Sequence, residues 1–191
     1  MKDIVIDGRG HLFGRLCSVV AHEILRGNRI TVVRCEEIEK GGSMNENRIK
    51  FHKFLRKTRN SNPRRGHIHY HAPSRIFWRC VRGMVPHKLS KGADAMGRLK
   101  VFDGIPHPYD EKKKVVIPNA LRKYTKTTNL GELAAICGWK KAEVISELEN
   151  KRREKALNWY NKKTEADKKL KEAHSRPAVA KINEELAKYG F

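Results

Sequence analysis

Apolar and polar positions change period several times along the chain, and the changes mark its elements. Ile4-Val5-Ile6 is a short apolar run closed by Asp7-Gly8, as expected of a buried strand. Residues 11–26 switch to a helical period: Arg15, Ser18, His22 and Arg26 share one face, while Leu12, Leu16, Val19, Val20, Ile24 and Leu25 fill most of the rest. Gly27-Asn28 stops that helix, and the β-branched run Ile30-Thr31-Val32-Val33 follows as a second strand. Strand, helix and strand in that order predict parallel pairing through a right-handed crossover. The expected fold class is α/β, a small parallel sheet flanked by helices in three layers, with a helical C-terminal extension.

Later segments add helices. Ser74 after Pro73 reads as an N-cap, Gly83 as a C-terminal stop, and Pro86 forbids continuation, which predicts a helix of about two turns. On its wheel Arg75, Arg79 and Arg82 gather on one side, Phe77, Cys80, Val81 and Met84 lie opposite, and Trp78 borders the arginines. Residues 133–148 show a helix, a glycine turn at Gly138 and a second helix, the pattern of a helix-turn-helix DNA binder. The second helix carries Glu143 and Glu147, however, with Glu149 just beyond, and these are poor partners for a major groove; two helices packed on the core explain the pattern more simply. Residues 151–173 are charged nearly all round, with Leu157, Trp159, Tyr160 and Leu170 as sparse apolar points, so this helix is expected along RNA or a neighbouring protein. Pro177 opens a last short helix at 178–188. The division expected is a core domain at 1–140 and a charged helical extension at 141–191.

Charge then narrows the function. The chain has 191 residues and a net charge of +21, unevenly spread: residues 1–45 carry +1, 46–126 carry +16 and 127–191 carry +4. From 47 to 93 there is no Asp or Glu at all, against 13 Lys and Arg and five histidines. Ordinary surfaces intersperse both signs, and cations held this close repel one another unless an external polyanion neutralises them. The segment therefore points to nucleic acid. Its candidate contacts are Arg48, Lys50, Lys53, Arg56, Lys57, Arg59, Arg64, Arg65, His67, His69, His71, Arg75, Trp78, Arg79, Arg82, His87, Lys88 and Lys91, joined by Lys112, Lys113 and Lys114 further on. Arg64 and Arg65, bracketed by Pro63 and Gly66, present guanidinium forks on irregular backbone, suited to phosphate or unpaired bases. Trp78 is suited to stacking on a base or to half-buried packing. No apolar run approaches a membrane span, and the first ten residues lack the apolar centre of a signal peptide, so an intracellular chain is expected.

Other chemistries fit less well. Gly8, Gly10 and Gly14 between the first strand and helix form a loosened dinucleotide fingerprint, with Glu36 and Glu37 placed as ribose acids, the best enzyme reading available. The spacing is one residue too long, and a tight strand-to-helix turn needs glycines without any ligand. His67, His69 and His71 alternate as on a strand and so share one face, a partial metal set. No Asp, Glu or Cys lies near to complete it, and the surrounding arginines repel a cation, so histidines facing RNA are the expectation. No nucleophile-and-base set emerges, since Cys80 falls on the apolar face of its helix. Cys17, Cys35, Cys80 and Cys137 are too scattered for a zinc site and read as reduced thiols.

Eight ordered motifs carry a family resemblance: Phe54-Leu-Arg-Lys57, Asn62-Pro-Arg-Arg-Gly66, Ala72-Pro-Ser-Arg-Ile-Phe-Trp-Arg79, Val81-Arg-Gly-Met84, Pro86-His-Lys88, Arg98-Leu-Lys-Val-Phe-Asp-Gly-Ile-Pro106, Pro108-Tyr-Asp110 and Gly138-Trp-Lys140. Together they closely resemble the eukaryotic-type ribosomal protein L-thirteen family of the large ribosomal subunit, over residues 4 to about 163. The resemblance implies a structural constituent of the large subunit that binds large-subunit ribosomal RNA and supports subunit assembly and translation. It implies neighbouring large-subunit proteins as partners, a cytoplasmic ribosomal location with nucleolar passage during assembly, and no enzymatic activity, cofactor, membrane or small-molecule substrate. His71 stands where the family usually has arginine, which replaces a permanent cation by a titratable one.

Overall fold

In the computed structural model, the described residues are 2–123 and 126–174, with Val179, Ile182, Leu186 and Lys188 beyond them. Most of the expected helix at 178–188 lies outside the described residues; those four positions are helical. The chain divides into two compact units, Met1–Ser146 and Glu147–Phe191.

The opening of the chain folds as its pattern dictates. Strand β1 (Asp3–Asp7), helix α1 (Phe13–Leu25) and strand β2 (Arg29–Val33) form the expected unit, with β1 and β2 parallel and Ile4 opposite Ile30. A 3-10 turn (Cys35–Glu37) leads into β3 (Glu39–Gly41), followed by helices α2 (Met44–Leu55), α3 (Pro73–Met84) and α4 (Ser90–Gly97). Strand β4 (Leu99–Val101) returns parallel to β2, giving the sheet order β1-β2-β4. Strand β5 (Thr127–Asn129) pairs antiparallel with β3 as a separate ribbon, and α5 (Leu130–Ile136) and α6 (Ala142–His174) complete the described elements. The fold is thus mixed α/β around a small parallel sheet, as expected. Ile6, Ile30, Val32 and Leu99 from the sheet meet Leu16, Val20 and Ile24 of α1, Phe77 and Val81 of α3 and Leu130 and Leu133 of α5 in one core.

Helix α1 starts two residues later than its periodicity suggests, because tertiary pairing holds His11 and Leu12 extended: His11 bridges to Leu121, Leu12 bridges to Glu39, and the Leu12 N–H donates to the Ala120 carbonyl at 2.7 Å. His11 itself is fully buried. The Ile117 N–H donates to its Nε2 at 2.9 Å, while Nδ1 lies 3.1 Å from the Arg9 carbonyl, a pattern that only the neutral ring with its proton on Nδ1 satisfies. Burial accordingly holds its pKa below the ordinary 6.5. The unfolded chain then binds more protons than the folded one below about pH 6.5, so this contribution to stability is complete above that pH and lost as pH falls beneath it. Urea unfolding at pH 7.5 and 5.5 should show the difference between wild type and His11→Gln shrinking at the lower pH. Equal differences at both would mean that His11 titrates normally in the fold.

The glycine turn after β1 is used by the protein itself. A Cβ on Gly8 would lie 2.8 Å from the Arg34 carbonyl oxygen and 2.9 Å from that of Val33, so glycine is required by close backbone packing. In open parallel sheets ligands bind outside the carboxyl ends of the strands. Here those ends are bridged by a bidentate pair between Arg34 and Asp7, with Arg34 Nη1 also 3.9 Å from Glu37. Glu37 reaches Arg9 at 3.2 Å, and Glu36 accepts from the Gly104 N–H at 2.8 Å. Burial pushes the Glu36 carboxyl up to about 7. Both acids offered as ribose ligands thus have internal partners.

The helix-turn-helix pattern resolves into a seven-residue α5, with Leu130, Leu133 and Ala134 buried, and a 33-residue α6. In the second unit, α6 exposes Leu157, Trp159, Tyr160 and Leu170, and Glu149 is held between Arg152 and Arg153. Among the described residues no helix is long and apolar enough to cross a membrane.

Candidate nucleic-acid interface

The acid-free segment folds into α2, a long loop and α3. Helix α2 has few apolar residues, and tertiary contacts position it. Ser43 caps it through the Glu46 N–H at 3.4 Å, and the buried Asn47 side chain donates to the carbonyls of Gly41 and Gly42 and to Thr128 Oγ1 at 3.0 Å, tying the helix to the β3-β5 ribbon. Phe51, one turn on, is its second buried contact. With Asn47 and Phe51 inward, the opposite side presents Arg48, Ile49, His52, Lys53 and Arg56 around a shallow hollow. Their spacing of three and four residues is that of one helical face. His52 was absent from the candidate contacts, although its i+4 relation to Arg48 could have signalled it.

Helix α3 differs from the sequence expectation at both ends. Ala72, not Ser74, occupies the N-cap position, and Pro73 takes the first helical turn. Ser74 instead donates its N–H and its hydroxyl to the Asp103 carboxylate, at 2.8 and 2.7 Å, so an acid 29 residues away closes the helix start. Burial raises the Asp103 pKa, and the two Ser74 hydrogen bonds oppose that rise. Gly83 does not stop the helix, which runs 12 residues to Met84 before Val85 turns extended ahead of Pro86. Phe77 and Val81 are fully buried, as expected of the apolar face, and Cys80 is half-buried, but Met84 is 45% exposed. It lies in the last turn, where the core no longer continues beneath the helix.

On the opposite side Arg75 and Arg82 are exposed. Arg79 is not free in the same way: its guanidinium lies 4.0 Å from the centre of the Phe54 ring, pinning α3 to α2. Trp78 is half-buried, edge-on to Tyr70 at 6.5 Å, which favours its packing role.

Between the two helices the loop exposes Lys57, Arg59, Arg64 and Arg65, the last two in a 3-10 turn (Pro63–Arg65). The three histidines do not share one face, because no strand forms there. His67 is exposed. His69 packs edge-on against Phe54 at 4.8 Å with its Nε2 buried, and His71 packs against Phe51 with Nδ1 at 2.8 Å from the Cys137 carbonyl. His69 and His71, both half-buried, thus each pack one side against a phenylalanine of α2. Among the described residues no three His, Cys, Asp or Glu side chains gather as a metal site.

Lys88 and Lys91 are exposed near α4, whereas His87 is half-buried with Nδ1 at 3.2 Å from the Arg82 carbonyl. Lys112 lies over the Tyr109 ring and lines a separate hollow with Arg29, Arg98 and Lys100, on the sheet face opposite the core. Lys113 is exposed, while Lys114 donates to the carbonyls of Asp110 and Lys112 and stabilises its own turn. Among the described residues, none of the 13 Lys and Arg between 48 and 91 pairs with a carboxylate.

Residues 1–108 match the family model described as "Ribosomal protein L13". The large ribosomal subunit protein uL13 of Tetrahymena thermophila is 51% identical over 196 aligned positions, covering 100% of this chain and 98% of that protein. With a basic surface and an α/β core built from the very segments that carry the match, the chain belongs to the ribosomal protein L13 family.

Proposed function

We propose that this protein is a structural constituent of the large ribosomal subunit that binds large-subunit ribosomal RNA and supports subunit assembly, working in cytoplasmic ribosomes after nucleolar passage and carrying out no catalysis. The observation that carries the RNA reading is the acid-free segment, whose exposed cations have no carboxylate partner among the described residues. Phosphate supplies what the fold withholds. The contacts proposed are Arg48, Lys53 and Arg56 on α2, Lys57, Arg59, Arg64 and Arg65 in the loop, Arg75 and Arg82 on α3, and Lys88 and Lys91 beyond it. Residues 1–140 are assigned to this RNA-binding core and 141–191 to an extension whose exposed Leu157, Trp159, Tyr160 and Leu170 suit RNA bases or a neighbouring large-subunit protein. Family membership supports the same reading.

Binding of the full chain to large-subunit ribosomal RNA fragments, measured at several salt concentrations, tests it. Replacing Arg75 and Arg82 together by glutamine should leave the thermal midpoint almost unchanged and flatten the log–log salt slope by about 1.4 to 1.8, since each phosphate no longer neutralised removes about 0.7 to 0.9. An unchanged slope in the folded variant would remove α3 from the interface. Failure of wild type to bind the fragments, or to travel with large subunits through a gradient, would sink the reading as a whole.

A further inference from the structure

Between α2 and α3 lies a second hollow of about 360 Å³, which differs from the basic hollow on α2 in its aromatic lining. Its walls include the half-buried rings of Phe13, Phe54 and Tyr70, with Lys40 of β3, Lys50 of α2 and Arg79 of α3 among them. Lys40 and Lys50 line this hollow together, with no carboxylate partner among the described residues. Burial and the neighbouring Lys50 pull the Lys40 ammonium below its ordinary value. Two like charges beside an aromatic cavity are costly unless an anion joins them. The Arg79 guanidinium already lies over the Phe54 ring and adds a planar cation to the wall.

We propose that this hollow receives one unpaired nucleotide of the bound RNA, its base stacked among Phe13, Phe54 and Tyr70 and its phosphate held between Lys40 and Lys50. The assignment rests on the RNA-binding reading above and adds to it a defined ligand. A paired base is sequestered in the A-form stack, whereas a concave, aromatic-lined site of this size fits a base turned out of its helix. Recognition of that base would make binding depend on RNA shape as well as on charge. An acidic, aromatic peptide from a neighbouring protein shares part of this chemistry, but the site adjoins the basic face of α2, which already addresses phosphate.

Cys80 supplies the readout, since it lines the hollow while Cys17, Cys35 and Cys137 are buried. Iodoacetamide alkylation of Cys80 in the full chain would be followed by mass spectrometry with 5′-AMP, adenosine, inorganic phosphate or the peptide Asp-Phe-Asp, each at the same fixed concentration. AMP is expected to slow the reaction about fivefold or more, the scale of one stacked base, and adenosine or phosphate alone by less than about twofold. The protection ratio should vanish in Lys50→Gln, whose side chain is exposed and has no carboxylate partner among the described residues, and persist in Lys2→Gln, exposed ahead of β1 and outside the hollow. Equal protection by phosphate would reduce the hollow to an anion site, and protection by the peptide alone would assign it to a protein; either overturns the proposal. If AMP gives no protection while RNA fragments still bind with a steep salt slope, the nucleotide site falls and the RNA-binding surface stands. If the fragments do not bind either, both fall.

Discussion

Phe77→Ala is expected to lower the unfolding free energy by about 3–5 kcal/mol, a large part of the roughly 5–15 kcal/mol that holds an ordinary domain together. The ring is fully buried in the core, edge-on to Phe13 at a centroid distance of 6.1 Å. Truncation removes its burial and leaves a cavity that the sheet and α1 cannot both close. Phe77→Leu, which keeps most of the volume, should cost less than about 1.5 kcal/mol. Urea unfolding followed by circular dichroism measures both. If the alanine variant loses less than about 1 kcal/mol, α3 is not anchored as described. In the alanine variant RNA affinity should fall only as far as the folded fraction does, with the salt slope of the folded molecules unchanged, because Arg75 and Arg82 lie on the opposite side of the helix.

Removing the carboxylate of Asp7 is the second large effect. Its partner Arg34 keeps only 11% of its side chain exposed, and Asp7 13%. Burial alone raises the Asp7 carboxyl, but hydrogen bonds from Arg34 and the Arg9 N–H outweigh it, so the pKa lies below the ordinary 3.8. The pair therefore contributes fully above about pH 3.8 and fades as pH falls through and below it. Asp7→Ala removes the bidentate partner of a buried guanidinium, at a cost of about 3–5 kcal/mol, nearer the lower figure because Glu37 remains within reach at 3.9 Å. Substituting both partners, Asp7→Leu with Arg34→Met, should recover much of that loss, since apolar groups leave no charge unpaired. Thermal unfolding at neutral pH reads out each variant. A double variant as unstable as the single one would show that the pair also fixes the left-handed turn at Arg34, where φ is 55°.

Both variants act where the chain's local pattern and its long-range contacts meet, and the two kinds of information differ in reach. The unit of β1, α1 and β2 was legible because burial on one face imposes a period of 3.6 on a helix, and burial on both faces gives a strand a continuous apolar run. The opposed faces of α3 were legible for the same reason. So was the basic character of residues 47–93, which needs only a count of charges. Helix α2 left no such trace. Its inward positions include an asparagine, Asn47, which is buried only because Thr128 and the carbonyls of Gly41 and Gly42 meet it.

By itself the sequence determined the α/β class, the parallel pairing of its first two strands, the apolar anchor at Phe77 and Val81, and the sign and place of the uncompensated charge. These follow from spacing between near neighbours and from composition, which no partner can alter. Only the tertiary structure decided which cations remain exposed. Arg79 is drawn onto Phe54, His71 is aimed at the Cys137 carbonyl 66 residues away, Ser74 is joined to Asp103, and Lys40 is brought beside Lys50 over an aromatic hollow. Each depends on contacts between separate elements, where hydrogen bonds and ring stacking act over a few ångströms in space with no fixed separation along the chain.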